Sequence, residues 1–522
     1  MDTRNDRYKW QALATLCVTM FMAMLDNVIV NIALPRIGRD LDAGISGLQW
    51  VAEGYSLVYA ALLLTGGTLG DRHGRTRVYR IGLALFTLGS AAAALAGGTG
   101  ALVAARMLQG VGAALLTPGS LAILRQVFTD EKERARAIGL WSGVSALGLS
   151  VGPVVGGPMV DAFGWAGVFW INVPVGLVGL VLAHRVLPVV APRERRVDLL
   201  GLLLSAGGLG ALVYGLVEGP GRGWTDARVL ACGAVAAVLL ALFAAVELRA
   251  AEPMLELRLF RDRVLAGALL SGLMVSFGMF GAMFFLPLML QGVMRWTPTD
   301  AGYAGLPLSA VIVFAAPLSG RLTARHGARP PLVLGIALCA VGLGGLSLYS
   351  GQAHYWSYAW TLVLLGLGMG LTFTPVSIAV LQRVAPAQTG MASATVNTLR
   401  ELGGVLGIAV LGAVLTARLT GNLTDALHRQ GLPADGVPHA VSALTGHTGH
   451  TGADAGAGGG TGPAASVQAA VDASFVDALH LALRCGSAAL AATAVLVALL
   501  LRPAAPAPAA APAPSPSLSG AS

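Results

Sequence analysis

Gly67 to Arg80 read GTLGDRHGRTRVYR, four arginines held between two long apolar runs. A worn copy, GRLTARHGAR, occupies Gly320 to Arg329, 253 positions later. Gly67, Leu69, Arg72, His73 and Gly74 recur there as Gly320, Leu322, Arg325, His326 and Gly327 at identical spacing. Asp71, however, becomes Ala324, and Arg75 becomes Ala328. One stretch used twice at a long fixed offset marks a duplicated chain. Between apolar runs it points to the internal repeats of a membrane protein with unequal halves.

The apolar runs extend along the whole chain. Of its 522 residues 55% are hydrophobic and only 11% charged, with a mean hydropathy of +0.72. Soluble proteins carry roughly a quarter charged residues, so this chain finds apolar solvent elsewhere. A bilayer core demands about 20 consecutive apolar residues. Fourteen such spans are read near 12–34, 50–70, 80–98, 101–124, 136–160, 166–187, 199–217, 228–248, 264–290, 301–322, 331–350, 356–380, 389–417 and 479–501. The expected fold is an all-α integral membrane protein.

The basic residues set the expected topology. With the N-terminus inside, 24 of the 34 lie in inner loops and tails, and seven in outer loops. That bias puts both termini in the cytoplasm. It also explains the high pI, so nucleic-acid binding need not be invoked. Cys17, Cys232, Cys339 and Cys485 fall in separate spans with no CxxC, which favours neither disulfide nor metal. The first span is too long for a signal peptide and carries Asp26, Asn27 and Asn31, so it is expected to be retained. Arginine far exceeds lysine, which suggests a GC-rich bacterial genome, and a bacterial multi-pass protein of this kind is expected in the plasma membrane.

The 253-residue offset organises the rest. Residues 1–190 and 264–501 are expected to form two six-helix bundles, with an inserted helix pair in 191–263 that has no repeat partner. The last outer loop, 418–478, is the only long one. Its stretch from Gly446 to Gly462 is nearly all Gly, Ala, Thr and His. His447 and His450 there read as part of a flexible linker rather than a metal site. The tail 502–522 is rich in Ala, Pro and Ser and is not expected to pack.

Gly148, Gly152 and Gly156 sit four apart and share one helix face, which lets a neighbouring backbone approach closely. Pro153 kinks the helix on that face. The string GVSALGLSVGPVVGG from Gly143 to Gly157 is more specific than helix packing alone requires.

With that string the chain resembles the major facilitator superfamily, specifically its fourteen-helix drug:proton antiporter branch. GTLGDRHGRTR is similar to the superfamily's signature between helices two and three, ARMLQGVGAA with Arg106 to that of helix four, and GLSVGPVVGG to the exporters' helix five. Leu25–Pro35 (LDNVIVNIALP), Phe169–Gly176 (FWINVPVG) and the Asp198 to Gly201 opening of helix seven resemble this branch in particular. The resemblance spans 12–417 and the final helix. It implies two bundles alternating around a central cavity, efflux driven by the proton gradient with no other cofactor, and a monomer. It also implies that Gly67, Asp71, Arg72, Gly74 and Arg75 steady a cytoplasmic gate, with Asp71 and Arg75 joining the halves when that side is shut. A carboxylate beside guanidiniums can make such breakable contacts. Arg77 and Arg80 read as topology markers only.

Ionisable residues inside spans are costly unless paired or hydrated, so each is a functional candidate. Asp26 lies about 12 Å, Arg106 about 8 Å and Glu53 about 4 Å below the outer surface, at 1.5 Å per residue. The three are expected to share one water-filled outer pocket. Burial raises a carboxyl pKa and a nearby guanidinium lowers it, so Asp26 is a proton-coupling candidate with Arg106 its modulator. A permanent structural ion pair is the competing reading. Arg400 and Glu401 stand mid-span in NTLRELGGVLG, with Asn397 on the face of Glu401. Glu401 departs from the family's usual glutamine and adds a second membrane carboxylate. Asn27, Asn31, Asn397 and Arg400 are substrate-cavity candidates. Met279, Phe280, Met283, Phe284 and Phe285 either line a drug cavity or face lipid. Leu362 replaces Arg106 in the second half, so coupling is expected to reside in the first.

Together these features point to a proton-driven exporter of amphipathic small molecules. A proton-coupled importer and a membrane receptor or scaffold remain as alternatives. An intramembrane enzyme is disfavoured, since no nucleophile–base pair or metal-ligand spacing occurs. An ATP-driven pump is excluded for this chain alone by the lack of a GxxxxGK[ST] loop.

Overall fold

The computed structural model describes residues 3–189, 198–250, 255, 257–349, 354–384, 389–429 and 463–501. The linker histidines His447 and His450, the 502–522 tail and the 191–197 connector lie outside the described residues. No strand occurs among those described. Twelve helical stretches are long and apolar enough to cross a membrane. The helices at Ile45–His73 and Arg75–Ala94 are long enough but less apolar, because they carry Glu53 and the charges around Gly74.

The first half comprises α1 (Thr3–Asp40), α2 (Ile45–His73), α3 (Arg75–Ala94), α4 (Thr99–Val127), α5 (Glu131–Phe163), the single turn α6 (Gly167–Trp170) and α7 (Asn172–Val186). The arginine stretch is less a loop than a one-residue break. Helix α2 runs through His73, Gly74 takes φ +93°, and α3 starts at Arg75. In the worn copy Gly327 takes φ +78° at the same place. That left-handed region favours glycine, which has no Cβ to clash.

After the inserted pair α8 (Leu199–Arg222) and α9 (Ala227–Arg249) come α10 (Arg263–Pro287), α11 (Pro298–Ala304), α12 (Leu306–His326), α13 (Arg329–Leu346), α14 (Tyr355–Leu381), α15 (Thr389–Arg429) and α16 (Pro463–Leu500). The repeat is visible in backbone packing. Gly110 and Gly112 of α4 rest against Tyr55 of α2 and Gly82 of α3. Gly366 and Gly368 of α14 rest against Leu308 of α12 and Gly335 of α13, each partner displaced by the same 253 positions. Helix α1 packs on α5 and α7, as α10 packs on α15 and α16.

Two seams join the halves: α2 against α15, and α5 against α11 and α12. Helix α8 lies over the first seam, where its Val213 and Val217 cluster with Leu57, Val405 and Ala409. The Trp50 indole also donates to the Glu218 carboxylate at 3.3 Å. Asp198 caps α8 by accepting from the Gly201 amide at 2.8 Å, which accounts for the acidic residue that opens this helix.

Several spans depart from their sequence reading. The 166–187 span is broken at Ile171 into α6 and α7, and 301–322 is broken at Gly305 into α11 and α12. Helix α10 ends in a π-helical turn, Leu288–Val293. The expected outer loop 418–478 is helical at both ends, through Arg429 and from Pro463. Hydrogen bonds from Arg418 and Asn422 to Asp477, at 3.0 and 2.8 Å, hold these extensions of α15 and α16 together. Within the Met279–Phe285 group only Met283 is partly exposed. Met279, Phe280, Phe284 and Phe285 are buried in the second half's core.

Candidate functional site

Helices α1, α4 and α7 of the first half meet at one buried polar junction. Asp26 of α1, Arg106 and Gln109 of α4, and Asn172 at the start of α7 are all essentially without solvent access. Arg106 Nη1 donates to Asp26 Oδ2 at 2.5 Å and to Gln109 Oε1 at 3.0 Å. Asp26 Oδ1 accepts from Gln109 Nε2 at 3.1 Å and from Asn172 Nδ2 at 2.5 Å. Gln109 Nε2 further donates to Ser90 Oγ of α3 at 2.8 Å, and Arg106 Nε to the Val51 carbonyl of α2 at 3.2 Å. The guanidinium also lies 4.6 Å from the Tyr55 ring centre and 5.8 Å from that of Phe169. One carboxylate thus organises five helices. Charge-assisted bonds of this kind are strong in a dry interior.

The sequence brought Asp26 and Arg106 together, and so does the structure. The expected water-filled pocket is corrected, because the aromatic faces of Tyr55 and Phe169 and the packed helices exclude solvent. Glu53 is not part of the junction. It is fully buried on α2, and neither carboxylate oxygen has a hydrogen bond among the described residues. Gln109, Asn172, Ser90 and Tyr55 were missed. Gln109 was legible from its i+3 spacing to Arg106, and Asn172 lies inside the FWINVPVG string.

In the second half, Arg400 stacks its guanidinium 4.0 Å from the Phe373 ring centre, and its Nε has no hydrogen bond among the described residues. Glu401 is partly buried beside it. Asn397 donates back to the Ser393 carbonyl of its own helix at 3.1 Å rather than to Glu401. Asn27 and Asn31 are buried on α1, and Asn27 Nδ2 lacks a partner among the described residues.

Hydrogen bonds between the halves gather at the end opposite the arginine stretches. Gln49 Nε2 of α2 donates to the Ile408 carbonyl of α15 at 3.1 Å. Gln291, in the π-helical turn, donates to the Ile32 carbonyl of α1 at 3.0 Å. The Thr299 amide and hydroxyl of α11 both donate to Asp161 of α5, the amide at 3.0 Å. Gln49 precedes Gly74 by 25 residues, so the sealed end lies about 38 Å of helix from the arginine stretch.

The helix-five glycines divide between two jobs. Gly148, Gly152 and Gly156 accept α1 at close range. Gly157 instead faces Pro298 and Thr299 of α11, and Gly302 of α11 faces the Pro153 carbonyl. At the other end, Arg75 Nε donates to Asp71 Oδ1 at 2.8 Å and Arg75 Nη1 to the Ala122 carbonyl at 3.4 Å, both within the first half. Gly67 packs near Pro118, and Arg72 is exposed. Arg80 does more than mark topology. It donates to the Ala183 and Leu187 carbonyls and so closes the C-terminal end of α7.

A family model described as Major Facilitator Superfamily matches residues 16–408. The chain belongs to that superfamily. It is 41% identical to the multidrug resistance protein Stp of Mycobacterium tuberculosis over 80% of this chain and 78% of that protein. It is 36% identical to the tetracenomycin C resistance and export protein of Streptomyces glaucescens over 93% of this chain and 90% of the relative. A bacterial homolog of the human lysosomal transporter Spinster shares the fold, with a TM-score of 0.64 and 16% identity over 94% of this chain and 97% of that one. This major facilitator chain is therefore a multi-pass protein, and its apolar helices and bacterial relatives place it in a bacterial plasma membrane.

Proposed function

We propose that this transporter exports amphipathic small molecules, antibiotics among them, in exchange for protons. Relatives named for multidrug resistance and for tetracenomycin C resistance and export support the efflux direction and the substrate class. The moving bodies in this reading are residues 1–190 and 264–501, with the 191–263 pair riding on their seam and both termini in the cytoplasm.

The observation that carries the coupling is the Asp26 junction. The carboxylate accepts from α4 and α7 at once, and its α4 partner Arg106 also holds α2. A proton on Asp26 occupies a position that a donor now fills, so protonation and helix arrangement exclude one another. That gives the proton a differential affinity for two states, which alternating access requires. Glu53, buried without a hydrogen bond on the α2 face of the seam, and Glu401 beside Arg400 serve as further proton-binding carboxylates. Asn27, Asn31, Asn397 and Arg400 contribute polar contacts to substrate. At the arginine end, Gly67, Asp71, Arg72, Gly74 and Arg75 form the gate element, in which Asp71 pairs with Arg75 at 2.8 Å.

The test is expression in a pump-deficient host with a drug panel, measuring intracellular accumulation with and without a protonophore. Lower accumulation of at least one amphipathic compound, abolished by the protonophore, is expected. No protonophore-sensitive change for any compound contradicts the reading.

A further inference from the structure

The blunted copy of the arginine stretch borders a cleft of about 1000 Å³ that the transport reading does not use. Arg263 enters it from the first turn of α10, His326 and Arg329 from the break between α12 and α13, and Arg383 from beyond α14. Among the described residues Asp262 is the acidic residue of the cleft, and its oxygens are occupied. Oδ1 caps the Val264 and Leu265 amides, and Oδ2 pairs with Arg383 at 2.8 Å. Arg329 is anchored by a 3.0 Å bond to the Ala498 carbonyl. Arg263 and His326 have no hydrogen-bond or ion-pair partner among the described residues. Three arginines therefore face one aspartate that is already engaged.

The two copies explain each other. In the first half Asp71 pairs with Arg75 at 2.8 Å. In the second, Ala324 supplies no carboxylate, and Ala328 lines the cleft where the first half carries an arginine. The opposite wall is Leu499 to Leu501, where the last apolar helix ends. The cleft thus lies at the depth where apolar helix faces give way to charged ends. There an arginine fork meets phosphate oxygens well, and an apolar wall accepts the glycerol and upper acyl carbons. Basic pockets between helix ends suit phospholipid head groups.

We propose that this cleft is an anion site for a phosphate group, carried by an anionic phospholipid of the leaflet at the arginine-rich end. The proposal stands independently of the transport reading. The test measures equilibrium binding of fluorescent phosphatidylglycerol to the full chain in detergent, with inorganic phosphate as competitor. Arg263→Gln/Arg329→Gln is expected to bind the lipid about tenfold more weakly, Arg263→Lys to fall between that variant and the unaltered chain because it keeps the charge but loses the fork, and Arg222→Gln, remote from the cleft, to bind it unchanged. Arg263→Gln alone, at an exposed position, keeps the test valid if the double variant folds poorly. Loss in the variants without competition by phosphate supports a lipid site. Displacement by phosphate that also requires Arg263 supports the phosphate chemistry and assigns the source to free phosphate. Unchanged lipid and phosphate binding in Arg263→Gln and in the double variant overturns the proposal.

Discussion

Gln49 of α2 donates its side-chain amide to the Ile408 carbonyl of α15 at 3.1 Å, tying the two halves at the end opposite the arginine stretches. Gly412, one turn further along α15, leaves the space that this amide occupies. Gln49→Ala removes this bond between the halves, a loss of about 1 kcal/mol, while the Ile408 carbonyl keeps its place in the helix ladder of α15. Gly412→Ala drives a methyl into the amide. Both variants are expected to shift the population toward a state open at that end. Interspin distances between labels on α2 and α15 would report it as a longer component that is weak or absent in the unaltered chain.

Gly157 on α5 and Gly302 on α11 interlock at the second seam, with Gly157 meeting the Thr299 backbone and Gly302 the Pro153 carbonyl. Gly157→Leu is expected to cost about 1–3 kcal/mol by overpacking, directed at the closed seam rather than at one bundle. Gly143→Ala on the same helix meets open space. Drug efflux is therefore expected to fall sharply in Gly157→Leu and to persist in Gly143→Ala, with membrane expression of both checked by immunoblot.

The Asp161 carboxylate accepts from the Thr299 amide and hydroxyl near the start of α11, a helix cap supplied across the seam. Asp161→Ala removes a contact worth about 1 kcal/mol. Asp161→Asn retains an acceptor and should behave more mildly. Labelling of a cysteine placed at the sealed end of the α5–α11 seam should be faster in Asp161→Ala than in Asp161→Asn. Equal rates in the two would remove the carboxylate from the latch.

Asp262 gives a pH dependence with a definite sign. Burial works to raise its pKa, but the Leu265 and Val264 amides and the Arg383 guanidinium outweigh it, leaving the carboxyl below the ordinary aspartate range. A depressed carboxyl contributes stability above its unfolded pKa and loses it as pH falls through the folded value. Asp262→Ala should therefore melt below the unaltered chain from neutral pH down to about pH 4, with the gap narrowing under more acidic conditions. Thermal unfolding in detergent across that range measures it.

What the sequence revealed follows from what leaves a periodic or chemical trace. Apolar spans, the 253-residue repeat, the Gly148–Gly157 face and the pairing of Asp26 with Arg106 were legible because each is a spacing or a rare residue in an apolar run. The seam bonds of Gln49 and Gln291 were not, since their acceptors are backbone carbonyls present at every position. The polar partners of Asp26 other than Arg106 left fainter traces, Gln109 as an i+3 neighbour of Arg106 and Asn172 as one residue of the FWINVPVG string. Both are uncharged and gain their meaning only when the fold brings three helices onto one carboxylate. The extension of α15 and α16 past their apolar stretches depended on Asp477 meeting Arg418 and Asn422, a pairing across a long chain separation.

The most direct test of proton coupling at Asp26 is drug transport in proteoliposomes driven by a pH gradient, comparing Asp26→Asn with the unaltered chain at equal incorporation and monitoring counterflow in parallel. Gradient-driven accumulation is expected to fall by about tenfold or more, while energy-independent counterflow persists. Full gradient-driven accumulation in Asp26→Asn would contradict the assignment.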